Sequence, residues 1–334
     1  MEQSNTSVIT YFIIVGISDQ PALQLLIFIL VLIIYLLTIG GNFIILVLVC
    51  MDHHLHTPMY FFLANLSIMD ISCSTITLHK ILVSFISGDK TVSITGCLIQ
   101  IFMFLSMACN ELMILTAMSY DRYVAICDPL HYPLVMNPMV CTILAVVCWV
   151  LSFSENIPTF MELYRSACYK SNVINHFFCD VVPVRKLSCS DTFNLELYMI
   201  VVGSFIDGFI LFLLTFISYV YIILTILKIR TSIGRRKAFY TCSSHLTVVI
   251  LLYTTLVLQY LRPQSMVSLN SNKLFSLFNT IAVPILNPLI YSLRNKDVKA
   301  SLKRMFKLPR NKNQEELEKE NIRFITWYKS VMQQ

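Results

Sequence analysis

The feature that most constrains this chain is a series of long apolar runs. A membrane-spanning helix needs about 20 predominantly apolar residues, and we place seven such runs near 22–50, 58–80, 97–126, 139–161, 194–227, 238–261 and 273–292. The chain is 56% hydrophobic and only 13% charged, with a mean hydropathy of +0.70. A soluble domain cannot bury that much apolar surface. The sequence therefore predicts an all-α membrane protein, a seven-transmembrane helix bundle.

The basic residues predict how this bundle is oriented. Positions 228–237 carry five lysines and arginines without an acid, and positions 294–312 are strongly basic, whereas positions 1–20 contain neither lysine nor arginine. Basic flanks stay on the cytoplasmic side, so we expect the carboxyl end and the 228–237 loop inside and the amino terminus outside. An odd number of spans agrees with this. We predict a multi-pass plasma-membrane protein.

Four parts of the chain follow from this topology. They are an extracellular segment at 1–21, the bundle at 22–292, a short amphipathic helix on the inner leaflet at 293–307 and a cytoplasmic tail at 308–334. The amphipathic helix is predicted because basic and apolar positions alternate there. Residues 1–19 lack the basic region of a cleavable signal peptide, so we expect the first run to act as its own insertion signal. Asn5 begins a glycosylation sequon on the outer side.

The cysteines divide by location. Four of the eleven, Cys97, Cys168, Cys179 and Cys189, fall on the predicted outer side, where disulfides persist. Four cysteines allow three connectivities, and spacing alone does not choose among them. The other cysteines are predicted to be free thiols.

Two acids lie inside the predicted spans, Asp70 in the second and Glu111 in the third. An acid at this depth is by default a functional hypothesis. One interpretation is that the two carboxyl groups share a cation, such as sodium, or a proton. The other is that each is protonated and joins neighbouring helices through hydrogen bonds. Asp207, in the fifth run, either neutralises a cationic ligand or simply binds a neighbouring side chain.

A charged pair, Asp121 and Arg122, stands at the inner end of the third run, in the segment MSYDRYVAIC at 118–127. An arginine costs roughly 2.5–3.5 kcal/mol at the bilayer centre and less near the interface. It needs acidic or carbonyl partners, and such partners can be exchanged. Arg122 lies on nearly the same helix face as Glu111, about 16 Å further in. A basic anchor is the simpler interpretation, but the seven-span context favours a switch.

Further polar residues lie in the last two runs. His245 could titrate near neutral pH, although a structural histidine is the favoured interpretation. Pro284 and Pro288 each remove a backbone hydrogen bond from the seventh run. Asn287 can satisfy freed backbone groups or bind water, and Tyr291 lies one turn further in. Histidines at 53, 54 and 56 form a loop cluster, for which we favour solvation over metal binding.

Five segments together resemble the odorant (olfactory) receptor family of rhodopsin-like G-protein-coupled receptors. They are LHTPMYFFLANLSIMD at 55–70, MSYDRYVAICDPLHY at 118–132, SYVYI at 218–222, KAFYTCSSHLTVV at 237–249 and PILNPLIYSLRNKDV at 284–298. They follow the family's order and spacing from the first to the seventh span. The tail after 308 is longer than the family usually has.

The resemblance implies a receptor for small volatile ligands that activates the olfactory stimulatory G protein and raises cyclic AMP. It implies the disulfides Cys97–Cys179 and Cys168–Cys189, and sodium or a proton at Asp70 and Glu111. Arg122 would face the G protein, with Tyr219 and Tyr291 as switching partners. The predicted coupling and switch residues are Asp121, Arg122, Tyr123, Tyr219, His245, Asn287, Pro288 and Tyr291.

The ligand pocket is predicted by extending the inward-facing stripes of the outer half of the bundle, with Tyr253 as its floor by family pattern. Such pockets are mostly apolar with a few polar anchors. For every member, helix packing alone is the alternative interpretation. The predicted residues are Phe104, Leu105, Ala108, Gly203, Ser204, Asp207, Tyr253, Leu256, Val257, Tyr260, Leu277 and Thr280.

Two rival functions are less favoured. A membrane transporter would fit an inverted repeat, and the sequence has an odd span count without such a repeat. A non-odorant rhodopsin-like receptor remains, but an amine receptor has an acid where Phe104 and Leu105 stand, and an opsin needs a lysine in the seventh run. We expect neither enzymatic activity nor a nucleic-acid partner, and no cofactor apart from the sodium hypothesis.

Overall fold

The chain folds into long helices that pack side by side. The computed structural model describes residues 9–18, 20–166, 168–260, 273, 276–294 and 296–307. Its first helices are α1 Pro21–Met51, α2 Pro58–Ser87, α3 Ile94–Cys127, α4 Tyr132–Val135, α5 Pro138–Ser154, α6 Ile157–Arg165, α7 Val181–Leu187 and α8 Phe193–Tyr198. The later ones are α9 Leu211–Lys228, α10 Ser232–Tyr260, α11 Val283–Arg294 and α12 Lys296–Lys307. Two π-helical segments, Met199–Ile210 and Phe278–Ala282, precede α9 and α11, and a 3₁₀ turn, His53–Leu55, follows α1.

Local sequence signals explain where several helices begin and end. Proline occupies the first turn of α1, α2 and α5, where its missing N–H costs nothing. The Asn137 side chain accepts a hydrogen bond from the Val140 backbone N–H and so caps α5. Gly88, at φ 72°, ends α2 in the left-handed conformation that glycine adopts without strain.

Five helical stretches are long and apolar enough to cross a membrane. They are Ala22–Met51, Pro58–Ser87, Ile94–Cys127, Pro138–Arg165 and Phe193–Lys228. The predicted sixth run lies in α10, which among its described residues contains a shorter apolar stretch, His245–Thr255. Only part of the seventh run, 273–292, falls on described residues. Large apolar side chains such as Leu26 and Phe43 are exposed on α1, as expected of a surface that faces lipid.

Two predicted loops turn out to be largely structured. The 228–237 segment was predicted as a basic loop, but α9 continues to Lys228 and α10 begins at Ser232. Lysine and arginine are good helix formers, so the basic residues extend the two helices. The segment between the fourth and fifth predicted runs, 162–193, likewise contains the end of α6, a short strand and α7.

The main core lies among α1, α2, α3, α5, α10 and α11. Leu66, Ile114 and Leu115 are almost fully buried in it, together with Val249 and Val283. Asn65 sits at its edge, where its side chain accepts a hydrogen bond from the Trp149 indole at 3.0 Å. A second sequon, which begins at Asn65, therefore lies inside α2.

A small sheet covers the outer end of the bundle. Its strands are β1 Tyr11–Ile14, β2 Thr91–Ser93 and β3 Val173–Ile174, in the order β2-β1-β3. β1 runs antiparallel to β2 and parallel to β3. Phe12 and Ile14 alternate into a second apolar cluster that includes Tyr169, so the segment before α1 forms part of the fold.

Two disulfides fasten this outer layer, and they settle the connectivity that spacing had left open. Cys97, in the first turns of α3, is bonded to Cys179, and Cys168 to Cys189. Both pairs are those implied by the family resemblance. The first ties the outer end of α3 to the outer segment, residues 162–193, which carries β3 and α7.

The amphipathic helix α12 packs under the inner end of the bundle. Val298 is buried in the main core, and Leu302 and Met305 pack against it. The Arg304 guanidinium pairs with Asp52 just beyond α1. Burial opposes ionisation of Asp52, but hydrogen bonds from Ser301, Arg304 and His54 outweigh it and hold the pKa of that carboxyl below its ordinary value.

Candidate functional site

The outer half of the bundle encloses a cavity of about 720 Å³. Its wall is mostly apolar, with a cluster of polar groups, as in sites that bind small organic ligands. The lining residues come from α3, the α5–α6 junction, α7, the fifth span and α10. They are Leu105, Ala108, Cys109, Leu112, Glu155, Asn156, Thr159, Arg185, Glu196, Tyr198, Met199, Ile200, Val202, Gly203, Ser204, Asp207, Gly208, Phe209, Phe212, Tyr253 and Thr254.

Half of the predicted pocket residues line this cavity. These are Leu105, Ala108, Gly203, Ser204, Asp207 and Tyr253. Their contact with a ligand stays a prediction, because the geometry alone fixes only their position. The side chains of Leu256, Val257 and Tyr260 fall outside the part of the chain that the structure describes.

Three predicted pocket residues lie elsewhere. Phe104 packs edge-on against Phe178 of the outer segment, with ring centroids 5.0 Å apart, and joins a separate aromatic cluster with Phe177. Leu277 packs against that same cluster. Thr280 is fully buried, and its hydroxyl donates to the Ser276 carbonyl at 2.8 Å. The outer segment fills the space that the stripe of α3 was predicted to leave open.

At the polar end of the cavity, Asp207 was predicted from the sequence, but Cys109 and Glu155 were not. Cys109 on α3, Glu155 at the end of α5 and Asp207 bring their thiol and carboxyl groups together, with ligand atoms within 4.8 Å of one another. The Cys109 thiol donates to Asp207 Oδ2 at 3.0 Å. Glu155 lies inside the fourth predicted run, 139–161, so an acid within an apolar run was the available signal.

A second pair of charges lines the same cavity. The Arg185 guanidinium on α7 lies 2.8 Å from a Glu196 carboxylate oxygen on α8. The Tyr198 hydroxyl donates to the Glu155 backbone carbonyl, which links α8 to the α5–α6 junction. The cavity wall is thus held by side chains from the outer segment as well as from the spans.

Asp207 owes its position to the π-helical segment Met199–Ile210. Wider turns of this kind are frequent at functional sites. The predicted pocket residues of the fifth run, Gly203, Ser204 and Asp207, all line the cavity, and Gly208 lines it as well. The Asp207 residue is only 2% exposed.

Asp70 and Glu111 meet in the middle of the bundle, as their position in adjacent spans suggested. The Asn287 side-chain amide donates to both Asp70 oxygens, at 3.2 and 3.1 Å, and to Glu111 Oε1 at 3.3 Å. One amide therefore joins α2, α3 and α11. Carboxylate oxygens are ligands that hard cations accept, so the donor set fits a cation as well as a shared proton.

Asn42, rather than Asn287, binds the backbone carbonyl that proline leaves without its usual N–H donor. Pro288 has no N–H to give to the carbonyl four residues earlier, which is that of Pro284. The Asn42 side chain of α1 donates to this carbonyl at 3.2 Å and to the Thr38 carbonyl at 3.1 Å. Asn287 is thereby left to bind the two acids.

Asp121 and Arg122 form an ion pair with each other at the inner end of α3. Arg122 Nε donates to Asp121 Oδ2 at 2.8 Å, and a second guanidinium nitrogen binds the same oxygen. The Tyr132 hydroxyl of α4 donates to the other oxygen, Oδ1, at 2.8 Å. Burial, and then the Asp121 charge, raise the pKa of Tyr132, so this donor stays protonated at neutral pH.

The other predicted switch residues close the same end. The Tyr219 hydroxyl lies 2.6 Å from Nδ1 of His245, which joins α9 to α10. Tyr219 is thus held by His245 in this structure. Tyr123 packs on the small apolar cluster of Tyr219, Ile222, Ile226 and Cys242. The side chain of Tyr291 lies outside the part of the chain that the structure describes.

These features define a class of protein: a multi-pass helical membrane receptor with an outer cavity and a charged, closed inner end. Comparison with known proteins agrees. The family model described as olfactory receptor matches residues 31–308. The chain is 46% identical to olfactory receptor 5M5 of Mus musculus over 90% of this chain and 94% of that one. It is 45% identical to olfactory receptor 6C1 of Homo sapiens, over 88% and 94%, and 44% identical to the human olfactory receptor 8J2, over 92% and 98%.

The chain belongs to the olfactory receptor family. Both the family match and the relatives span most of its length. It is accordingly an odorant receptor, and membership implies coupling to a G protein.

Proposed function

We propose that this receptor binds a small volatile molecule in the 720 Å³ outer cavity and activates the olfactory stimulatory G protein, which raises cyclic AMP. The observation that carries the ligand site is the mainly apolar wall of the cavity, with a few polar groups. A volume of this size falls within the roughly 300–1,000 Å³ of small-molecule sites.

The receptor would cross the membrane seven times, with its amino terminus outside. The five long apolar stretches support this topology, and α10 and α11 would belong to the remaining two spans. The basic residues flanking α9 and α10 and those of α12 support a cytoplasmic inner face.

The switch would act through the inner ends of α3, α9 and α10. In the closed arrangement Asp121 holds Arg122, and Tyr219 contacts His245. Movement of α10 away from α3 would separate these partners and expose Arg122 to the carboxyl-terminal helix of the G protein, which would dock in the opened groove. The ligand shifts this equilibrium only by its difference in affinity for the two states.

Asp70, Glu111 and Asn287 would bind a sodium ion or a shared proton in the resting state. Two carboxyl groups that share one amide carry more negative charge than the amide can offset when both are ionised. A cation or proton there would favour the resting packing of α2, α3 and α11.

The proposal is tested by a panel of volatile ligands on cells that express the full chain, read by cyclic AMP. We expect at least one class of ligand to raise cyclic AMP above that of cells without the receptor. The same ligand should lose potency when Ala108→Phe narrows the cavity, whereas Val146→Phe, on an exposed apolar face of α5, should respond as the wild type does. Equal loss in both variants would contradict the cavity as the ligand site.

A further inference from the structure

The polar end of the outer cavity has more hydrogen-bond acceptors than donors. Asp207 Oδ1 and Glu155 Oε1 are buried and have no hydrogen-bond partner in the described part of the chain. The donor in this group is the Cys109 thiol, which donates to Asp207 Oδ2. A buried polar atom without a partner costs about 1–3 kcal/mol, so the site favours a ligand that brings donors.

The two carboxyl groups also lack a matching cation. Among the ion pairs of the described residues, none includes Glu155 or Asp207, and the nearby Arg185 is bonded to Glu196. Carboxylates held this close, with oxygens within 4.8 Å, repel each other when both are ionised. A positive charge between them relieves that repulsion.

The rest of the cavity specifies the other end of the ligand. Its wall beyond the acids consists mainly of apolar and aromatic side chains, including Leu105, Leu112, Phe209 and Phe212. Phe212 and Tyr253 pack edge to face with ring centroids 5.1 Å apart. Such a wall accepts a hydrocarbon tail of modest size.

We propose that this receptor recognises primary amines with an apolar tail, and that Asp207 and Glu155 bind the ammonium group. An ammonium group offers three N–H donors, enough for Asp207 Oδ1 and Glu155 Oε1 with one to spare. Alkylamines are protonated at neutral pH, since an unperturbed amine has a pKa of about 10.4. This inference rests on the proposed function, because it names the ligand class of the same cavity.

A soft metal ion is the competing occupant. A thiolate and two carboxylates could hold one and leave a position open for a ligand. That arrangement requires Cys109 to lose the proton that it now donates to Asp207. The ammonium needs no such change, so the existing hydrogen bond favours the amine.

The test compares matched ligands on the full-length receptor. The probes are n-hexylamine and cyclohexylamine, with 1-hexanol and cyclohexanol as uncharged partners of the same shape. Cyclic AMP is measured in cells, and ligand-induced thermal stabilisation is measured on the purified receptor. We expect each amine to act at a concentration about tenfold or more below that of its alcohol in both measurements, because charge-assisted hydrogen bonds are the stronger ones.

Two variants locate the effect. Asp207→Asn and Glu155→Gln should each raise the half-maximal amine concentration about tenfold or more, while the alcohol response stays within about twofold. Glu162→Gln is the matched control, because Glu162 is exposed on α6 and lies outside the cavity. Cys109→Ser keeps a donor for Asp207 but removes the thiolate, so it should preserve the amine response.

The outcomes separate the two proposals. Stabilisation by amines without any cyclic AMP response supports the ligand class and contradicts the proposed coupling. Activation by alcohols with no preference for amines overturns the ligand class and leaves the coupling intact. An amine response that disappears both in Cys109→Ser and with a chelator overturns the ammonium site in favour of a metal. If a variant fails to reach the cell surface, the wild-type receptor alone tests the ligand class. A preference for amines over alcohols supports it, and no preference overturns it.

Discussion

Arg122 illustrates how this molecule keeps a charge near the membrane without leaving it unpaired. Its guanidinium lies against Asp121, which is fully buried and also accepts a hydrogen bond from Tyr132. The pair satisfies both charges in the closed state. In the proposed switch, Tyr132 would stay on Asp121 when Arg122 leaves, so the acid would keep a partner while the arginine became free to bind the G protein.

Replacing Arg122 tests this role. Arg122→Ala should abolish ligand-evoked cyclic AMP and leave surface expression near that of the wild type, since Tyr132 still donates to Asp121. The measurement is cyclic AMP normalised to receptor at the surface. Arg165→Ala, at an exposed arginine on the opposite end of the bundle, serves as the control. Normal signalling by Arg122→Ala would rule out the assigned role.

Asp180 provides a pH-dependent test in the outer segment. Burial raises the pKa of its carboxyl from 3.8 to about 6, against hydrogen bonds from Val182 and Val181 that lower it. The folded state therefore binds a proton more tightly than the unfolded state does. The stability contributed by this group is full below about pH 3.8 and is lost as the pH rises through about 6.

Asp180→Asn should accordingly raise the melting temperature of the purified receptor at pH 7.5, where the wild-type carboxyl is ionised and buried. The gain should be smaller at pH 5 and approach zero only below about pH 3.8, where the carboxyl is protonated in both the folded and the unfolded state. Comparing the variant with the wild type cancels other titrating groups, including His176, whose pKa burial and Lys273 lower to about 4. A gain of the same size at both pH values would refute the assignment.

Single residues were predictable from sequence where depth in the membrane alone made them unusual. Asp70, Glu111 and Arg122 were identified because charge is costly there, and each has a specific partner. The pocket was less predictable. Phe104 lies on the expected face, but Phe178 of the outer segment covers it, and helical periodicity contains no information about a distant loop.

At the scale of elements, the contact between α1 and α11 depends on one glycine. A Cβ on Gly41 would lie 3.1 Å from Pro288 Cβ and 3.2 Å from Pro288 Cγ. A proline ring cannot move aside easily, because its ring is fixed to the backbone. Close approach here also brings Asn42 within reach of the Pro284 carbonyl.

Adjacent glycines allow a matched test of this contact. Gly41→Ala should lower the melting temperature of the purified receptor, by an amount that corresponds to about 1–3 kcal/mol for an overpacked core position. Gly40→Ala is the control, because a Cβ there meets nothing within 4 Å, and it should be neutral or slightly stabilising. An equal effect of both substitutions would show that helix propensity, and not contact with Pro288, is responsible.

The long helices were predictable because their apolar length is set by the bilayer. The observed ends of α1, α3 and the fifth apolar stretch, Phe193–Lys228, differ from the predicted ones by a few residues at most. Other elements were not. β1 is four residues long and forms only because β2 and β3 flank it, so no local pattern could identify it. The π-helical turn at Met199–Ile210 shifts side chains away from α-helical spacing, which sequence periodicity assumes.

For the whole molecule, the two ends of the bundle differ in how they are held. The outer end is fastened by two disulfides and a three-stranded sheet. The inner end is held by hydrogen bonds and a small apolar cluster among α3, α9 and α10. Covalent links cannot be exchanged during signalling, whereas hydrogen bonds can, so the inner end is where a change of shape would occur.

The central claim is that ligand binding at the outer end opens the inner end for a G protein. The most direct measurement is nucleotide exchange on the purified stimulatory heterotrimer, catalysed by the purified full-length receptor in lipid, with and without an activating ligand. We predict that the ligand accelerates exchange by the wild type and has no effect on Arg122→Ala. Wild-type receptor that binds the ligand yet never accelerates exchange on any heterotrimer would contradict the account.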